Sequence, residues 1–256
     1  MASTGKIRST GPMRMEDLAT RPDLRQAALD IGVVGGEFLC HDVVGLLTKS
    51  RRLAAYWPEF FLVLLDGDVP VARAAAMPVA FPTAERPELP EHGLEAAALW
   101  MAEDVMDGRA PTTLVAIEVT VAEHARGRGL ATVMLTGLKA RTRTAGLSRL
   151  VIPVRPTGLE QHPAESIVDY LARKRPDGLF ADPWLRTHER LGARMIGVAP
   201  FAMQVTGTLA QWREWTGVEL VDGLNPIPGG IAPVLASVAR DLGVYVEPNV
   251  WLEHPL

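Results

Sequence analysis

Large β-branched apolar residues occupy every second position from Val115 to Val121, and the stretch 113–121 carries the clearest pattern in the chain. β-Branched side chains recur at every second position, which is typical of a strand. The alternation predicts two faces: Val115, Ile117, Val119 and Val121 on one, and Leu114, Ala116, Glu118 and Thr120 on the other. Because both faces are mostly apolar, we expect a strand that is buried on both sides.

A basic loop with two glycines follows this strand and leads into a helix. The loop is Arg126-Gly127-Arg128-Gly129-Leu130-Ala131, after which apolar residues recur at helical spacing. The first amides of a helix lack intrahelical acceptors, and glycines allow a ligand to approach the backbone closely. Together with the arginines, these amides favour a phosphate or pyrophosphate ligand. An ordinary surface loop with two solvated arginines is the alternative. The spacing fits neither a dinucleotide fingerprint nor a P-loop.

Apolar runs and turn residues predict the remaining elements. A hairpin over 60–77 turns at Asp66-Gly67-Asp68, and a strand over 149–155 should run parallel to the strand over 113–121. Asp182-Pro183 is typical of a helix start. Further predicted elements are a first strand at 37–40, one or two helices within 15–53, helices over 94–107, 164–173 and 209–216, strands over 194–198 and 201–205, and a strand over 243–252 interrupted at Pro248.

Composition narrows the class of protein. The 256 residues are 48% hydrophobic and 22% charged, which is typical of a globular chain, and the net charge of −4 weighs against nucleic acid as a partner. Without a secretory signal or a long apolar run, we expect a soluble, cytoplasmic protein that does not bind membranes. The single cysteine, Cys40, excludes an intramolecular disulfide, and we expect it to be a small core residue. The histidine spacing fits no metal motif, so we predict no metal site.

The loop resembles motif A of the GNAT acyltransferase superfamily. Arg126, Gly129 and Ala131 match its Gln/Arg-x-x-Gly-x-Gly/Ala pattern, between a strand and a helix as in the family. The resemblance implies an α/β (α+β) GNAT fold: a central mixed, mostly antiparallel sheet with flanking helices, in which two parallel strands splay apart and hold CoA. It also implies that acetyl-CoA or another acyl-CoA is the co-substrate and contacts Val119, Val121, Arg126, Gly127, Arg128, Gly129, Leu130 and Ala131.

A second segment, over residues 188–193, is similar to a GNAT segment in which a tyrosine precedes Glu-Lys-x-Gly-Phe near the CoA sulfur. His188 takes the place of the tyrosine, and the segment also resembles GNAT-like loading domains of polyketide synthases. A histidine suits proton transfer because its ordinary pKa lies near neutrality. Glu118 is the second candidate for acid–base catalysis, and Thr157 is a candidate for positioning the acyl carbonyl or the acceptor. A core histidine and a glutamate at a wet strand edge are the alternatives.

These resemblances imply an enzyme that moves an acetyl or other short acyl group from acyl-CoA to an amine of a small molecule. Transfer to a carrier-protein thiol or a hydroxyl is one alternative, and a non-catalytic CoA-binding protein is another. The sequence predicts a disordered, polar lead over 1–13, a GNAT domain over 14–205 and a C-terminal extension over 206–256, which is too short to fold alone and should pack on that domain. The segment Glu-Pro-Asn-Val-Trp over 247–251 also resembles the end of single-domain actinobacterial GNAT proteins. A homodimer is compatible with the sequence, which does not specify the acceptor.

Overall fold

The computed structural model describes residues 12–32 and 36–256, so most of the predicted lead lies outside the described residues. The strands are β1 (Met13–Asp17), β2 (Phe61–Asp66), β3 (Val69–Val79), β4 (Thr113–Val121), β5 (Arg149–Val154), β6 (Arg194–Gly207), β7 (Gly223–Asn225), β8 (Val234–Ser237) and β9 (Leu242–His254). The helices are α1 (Arg25–Leu29), α2 (Ser50–Tyr56), α3 (Gly93–Asp107), α4 (Leu130–Thr144), α5 (Ile167–Ala172), α6 (Pro183–Arg190) and α7 (Leu209–Thr216). Within these ranges no helix is both long and apolar enough to cross a membrane.

One mixed sheet organises the described chain. Its strands follow the order β1-β2-β3-β4-β5-β9-β8-β7, and β6 also pairs with β9. The β4–β5 pair is parallel and the other pairs are antiparallel, which confirms the predicted mixed, mostly antiparallel sheet. β9 comes from the C-terminal segment 206–256 and pairs with β5 and β6, so this segment contributes a strand to the middle of the sheet.

Helices cover both faces of the sheet. On one face, α4 and α6 pack through Leu135, Leu138 and Leu185 against a core that includes Leu114 and Ala116. On the opposite face, residues from α1, α2 and α3 pack against a second core; they include Ala28, Leu53, Ala97, Ala98 and Met101. We call these surfaces the α4–α6 face and the α1–α3 face.

A β-bulge overturns the predicted alternation along β4. Ala75 of β3 lies opposite Glu118, whereas the next residue, Ala76, lies opposite Ala116, so Ile117 is an extra residue in β4. An extra residue reverses the faces beyond it. Val119 and Val121 therefore pack on the α4–α6 face with Leu114 and Ala116, while Val115 and Ile117 pack on the α1–α3 face.

Four further predictions are wrong. Residues 37–40 form part of a 3-10 turn, and the first strand is β1, which pairs with the edge of β2. The two strands predicted over 194–205 are one strand, β6, because both halves bond to β9 instead of to each other. Pro248 does not interrupt β9, since a bulge in β6 over residues 199–203 lies opposite it. Cys40 is exposed and does not belong to the core.

Candidate active site

Strands β4 and β5 separate after a short paired stretch. They pair only from Thr113–Arg149 to Val115–Val151, just before the bulge at Ile117. Beyond that point the strands diverge, as the GNAT resemblance implied. A cleft of about 740 Å³ opens between them.

The cleft passes through the sheet, because side chains from both faces line it. Val119, Val121, Arg126, Ala131, Trp184 and His188 line it on the α4–α6 face. On the α1–α3 face its walls include Lys49, Ser50, Arg51, Arg73, Glu118 and Glu247. A donor and an acceptor that enter from opposite faces could therefore meet at the gap between the strands.

The backbone of β4 leaves hydrogen-bonding groups free at this gap. The N–H of Ala122 donates to the carbonyl of Val71 on β3 at 2.9 Å. In an antiparallel pair, alternate residues direct their N–H and C=O groups to opposite sides. Val119 and Val121 therefore direct theirs away from β3, to the side where β5 no longer pairs. An extended amide ligand could form strand-like bonds there.

The glycine loop has the backbone conformation that its sequence requires. Gly127 and Gly129 have φ of +79° and +74°, which L side chains rarely adopt, and Gly129 is the N-cap of α4. Arg126 is exposed and lines the cleft. Arg128 instead pairs with Asp66 at 2.9 Å, and Leu130 is buried in the core. The predicted co-substrate residues thus fall into two groups. Val119, Val121, Arg126 and Ala131 line the cleft, whereas Gly127, Arg128, Gly129 and Leu130 shape or support the loop.

His188 reaches the cleft from α6. The helix begins as predicted, since the side chain of Asp182 accepts the N–H groups of Trp184 and Leu185 at 2.8 and 2.9 Å. His188 is completely buried, and its Nδ1 lies 2.8 Å from Nε2 of His254. Burial and the adjacent His254 lower the pKa of His188 to about 3, so the ring is neutral at neutral pH. Its Nε2 has no hydrogen-bond partner in the described part of the chain.

Glu118 lies on the α1–α3 face and is held by several donors. One carboxylate oxygen accepts from Nε of Arg73 and from the hydroxyl of Thr120, and the other accepts from the hydroxyl of Ser50, all at 2.6 Å. Arg73 also donates to the carbonyl of Ala28 at 2.8 Å. The carboxylate thus has a fixed orientation in the cleft wall. Thr157, the third predicted catalytic residue, is exposed and lines the same cleft just beyond β5.

Sequence reasoning missed a second carboxylate in the cleft, Glu247. It is completely buried on β9, and Nε of Arg155 donates to its two oxygens at 2.9 and 3.0 Å. The hydroxyl of Tyr245 donates to it at 2.7 Å, and burial together with this carboxylate raises the pKa of Tyr245. The available signal in the sequence was a glutamate, Glu247, at an inward-facing position of an otherwise mostly apolar strand.

A further buried carboxyl lies behind the cleft on α3. Glu95 accepts the backbone N–H and the side-chain amide of Gln204, which follows the cleft residue Met203. Burial and the nearby charge of Asp42 raise the pKa of Glu95 to about 7. Within the described ranges, no group of three or more His, Cys, Asp and Glu side chains is arranged to hold a metal ion.

Comparison with known proteins identifies the family. No protein-family model matches the chain. It is 35% identical to the arginine N-acetyltransferase avaD of Aspergillus versicolor, over 94% of this chain and 93% of the relative.

Two solved structures share the fold. One is the loading GNATL domain of CurA from Lyngbya majuscula, with a TM-score of 0.56, 14% identity and coverage of 95% of this chain and 98% of that chain. The other is the GphF GNAT-like decarboxylase in complex with isobutyryl-CoA, with a TM-score of 0.55, 17% identity and the same coverage of the two chains. With its splayed strands, its glycine loop and a relative that it matches over nearly its full length, the chain belongs to the GNAT superfamily of acyl-CoA-dependent N-acetyltransferases.

Proposed function

We propose that this acyltransferase moves an acetyl or other short acyl group from acyl-CoA to the amine of a free, cationic amino acid, and that arginine is the first acceptor to test. The observation that carries the proposal is the cleft through the sheet. On one face the cleft has the glycine loop, whose sequence favours a phosphate ligand, and on the other it has charged groups of both signs. The cytoplasmic location stays a prediction.

Acyl-CoA fits the α4–α6 face. The pyrophosphate would lie against Arg126 and the first amides of α4, because a helix N-terminus attracts anions. The pantetheine amides would bond to the free backbone groups of Val119 and Val121. This arrangement would carry the thioester to the point where β4 and β5 separate, next to His188.

The acceptor fits the α1–α3 face, where the charges match those of an amino acid. Lys49 and Arg51 are exposed cations on the cleft wall, without a hydrogen-bond or ion-pair partner among the described residues, and could bind an α-carboxylate. Glu118 and Glu247 supply negative charge for the amine and the cationic side chain. The avaD relative is described as acting on arginine, which carries this combination of charges.

The two faces divide the proton transfers of the reaction. The amine nitrogen attacks the thioester carbonyl, the C–S bond breaks, and the thiolate leaves. Glu118, on the acceptor side, would take the proton that the amine loses. His188, on the donor side, would give a proton to the leaving sulfur from Nε2, while Thr157 at the mouth would hold the acyl carbonyl or the acceptor.

An acceptor panel tests the proposal directly. Release of CoA from acetyl-CoA would be measured with arginine, agmatine, lysine and a primary amine that has no second cationic group. Agmatine is arginine without its carboxylate, so we expect kcat/KM to be about tenfold or more lower for agmatine, since one charged hydrogen bond is lost. Replacing Lys49 and Arg51 by methionine should reduce this preference, whereas the Arg143→Met control, on the exposed surface of α4, should not.

Two results would contradict the proposal. Equal rates with arginine and agmatine would exclude recognition of the carboxylate. Faster acylation of a phosphopantetheinylated carrier protein than of any amine would favour the carrier-thiol alternative. The same assay with and without each acceptor separates both results from simple hydrolysis of acetyl-CoA.

A further inference from the structure

The bond between His188 and His254 connects two cavities. His188 belongs to the wall of the acyl-transfer cleft. His254, at the end of β9, belongs to the wall of a second cavity of about 260 Å³, which we call the outer cavity. The outer cavity is lined by Ser148, Gly192, Arg194, Glu253, His254, Pro255 and Leu256. The outer cavity shares no lining residue with the cleft, so the two imidazoles are a polar link between separate spaces.

The ring nitrogens are arranged in series. Nδ1 of His188 lies 2.8 Å from Nε2 of His254, which is hydrogen-bonding distance. The two outer nitrogens, Nε2 of His188 and Nδ1 of His254, are buried and bond to no described residue. A hydrogen bond between two neutral imidazoles contains one proton, and the nitrogen of either ring can carry it. The pair therefore has two tautomeric arrangements with opposite donor and acceptor ends.

We propose that His188 and His254 form a proton relay that carries a proton from the outer cavity to the CoA thiolate as it leaves. The proposal rests on the proposed function, because it requires His188 to act on the leaving sulfur. His254 would be a positioning and relay residue that acts through His188. Its partner on the outer side would be a buried water molecule between Nδ1 and the outer cavity, because Nδ1 itself is shielded from solvent.

The proton transfers balance in one turnover. As the C–S bond breaks, the sulfur takes the proton of Nε2 of His188, and Nδ1 of His188 takes the proton of Nε2 of His254. Nδ1 of His254 then takes a proton from the water on the outer side, which leaves a hydroxide ion there. Both rings end neutral, in the other tautomer. The relay resets when a proton released by the next ammonium acceptor returns along the same path and converts the hydroxide to water.

The surroundings of the pair favour neutral rings over an imidazolium. The rings of Trp184 and His188 pack edge to face, with ring centroids 4.4 Å apart. Burial lowers the pKa of His254 to about 4, and the charge of Lys139 on α4 contributes. At the outer cavity, Glu253 is already paired with Arg149 and Arg194. A concerted exchange of tautomers moves a proton without placing a charge on either ring.

Two substitutions of His254 separate a relay from simple support. In His254→Gln, the amide can still donate to Nδ1 of His188 and hold the ring, but it cannot pass a proton on. In His254→Leu, both functions are lost. We expect kcat with arginine to fall about 100-fold in both variants, the lower end of a general acid contribution. The affinity for acetyl-CoA should not change. His92→Gln, at an exposed histidine that lines neither cavity, is the matched control.

Solvent isotope effects distinguish a proton relay from a purely structural role of His254, because only a relay changes the number of protons that move in the rate-limiting step. In mixtures of H₂O and D₂O, the wild-type rate should show a bowed dependence on the D₂O fraction, because more than one proton moves. The dependence should become linear in His254→Gln. A linear wild-type dependence, or a His254→Gln variant as fast as the wild type, overturns the relay while acyl transfer stands. A wild type that acylates no amine overturns the proposed function and the relay with it.

Discussion

The two faces of the cleft are built in different ways. On the α4–α6 face, most of the proposed acyl-CoA contacts lie within residues 119–131, where a strand, a loop and a helix follow one another in the chain. On the α1–α3 face, the charged groups come from five distant segments: Lys49 and Arg51, Arg73, Glu118, Arg155, and Glu247. Only the sheet brings these segments together. The comparison teaches that the proposed donor site depends on local backbone geometry, whereas the proposed acceptor site depends on long-range pairing and ion pairs.

The largest expected effect tests the local character of the donor face. Gly129→Glu would place a negative side chain at the start of α4, where the phosphates are expected, so we predict that the affinity for acetyl-CoA falls at least about 100-fold. Calorimetric titration measures it. Gly178→Glu is the matched control, because Gly178 is also exposed, has φ of +81° and has open space around it. Equal loss of binding in both variants would mean that unfolding causes the effect.

The next effect tests whether the faces act independently. Glu118→Gln keeps the size of the side chain but removes the charge and the ability to take a proton. We predict that kcat falls about 100-fold, the lower end for general base catalysis, while the affinity for acetyl-CoA is unchanged. Steady-state kinetics with arginine and calorimetry on the same preparation check both parts. A variant with wild-type kcat would show that Glu118 only anchors Arg73.

A smaller effect tests how the acceptor face recognises charge. Glu247→Gln removes a buried charge that pairs with Arg155, so we predict a rise of about tenfold in KM for arginine, about 1.4 kcal/mol. We predict little change in KM for a primary amine that has no cationic side chain. Glu219→Gln, in an exposed pair with Arg213, is the control. An equal rise in KM for both amines would indicate distortion of the cleft instead of lost charge recognition.

The smallest expected effect is the pH dependence of the free energy of unfolding, which should have opposite signs for a group on each face. The lowered pKa of His254, about 4, means that the stability associated with the neutral ring is present above pH 6.5 and is lost as pH falls toward 4. The raised pKa of Glu95, about 7, has the opposite sign: stability is present below pH 4.5 and is lost as pH rises toward 7. Each group can change the slope by up to about 1.4 kcal/mol per pH unit.

Denaturant unfolding at pH 5, 6 and 7 would measure these slopes. We expect His254→Gln to lessen the loss of stability on the acid side and Glu95→Gln to lessen the loss on the alkaline side. Gln at position 95 can still accept the N–H of Gln204, so its bond is retained. If both variants changed the slope in the same direction, one of the two burial effects would have the wrong sign.

The sequence predicted the parts of the site that form within a short stretch of chain. Arg126 and Gly129 could be placed because a strand, two glycines and a helix are neighbours, and Asp182-Pro183 marked the start of α6. The faces of Val119 and Val121 could not be predicted, because the bulge at Ile117 arises from the register with β3. His254 could not be connected with His188, since their contact requires β9 to lie beside β5.

What the sequence determined by itself is therefore the local structure of the proposed donor side: a β-strand, a glycine loop with positive φ, and a helix N-terminus. Side-chain periodicity and the conformational freedom of glycine act over a few residues, so they can be read without a fold. The tertiary structure alone decided that Glu247, Arg155 and Glu118 share one cleft, and that two histidines 66 residues apart form a bonded pair. Such contacts depend on which strands pair and in what register, and no local pattern specifies that pairing.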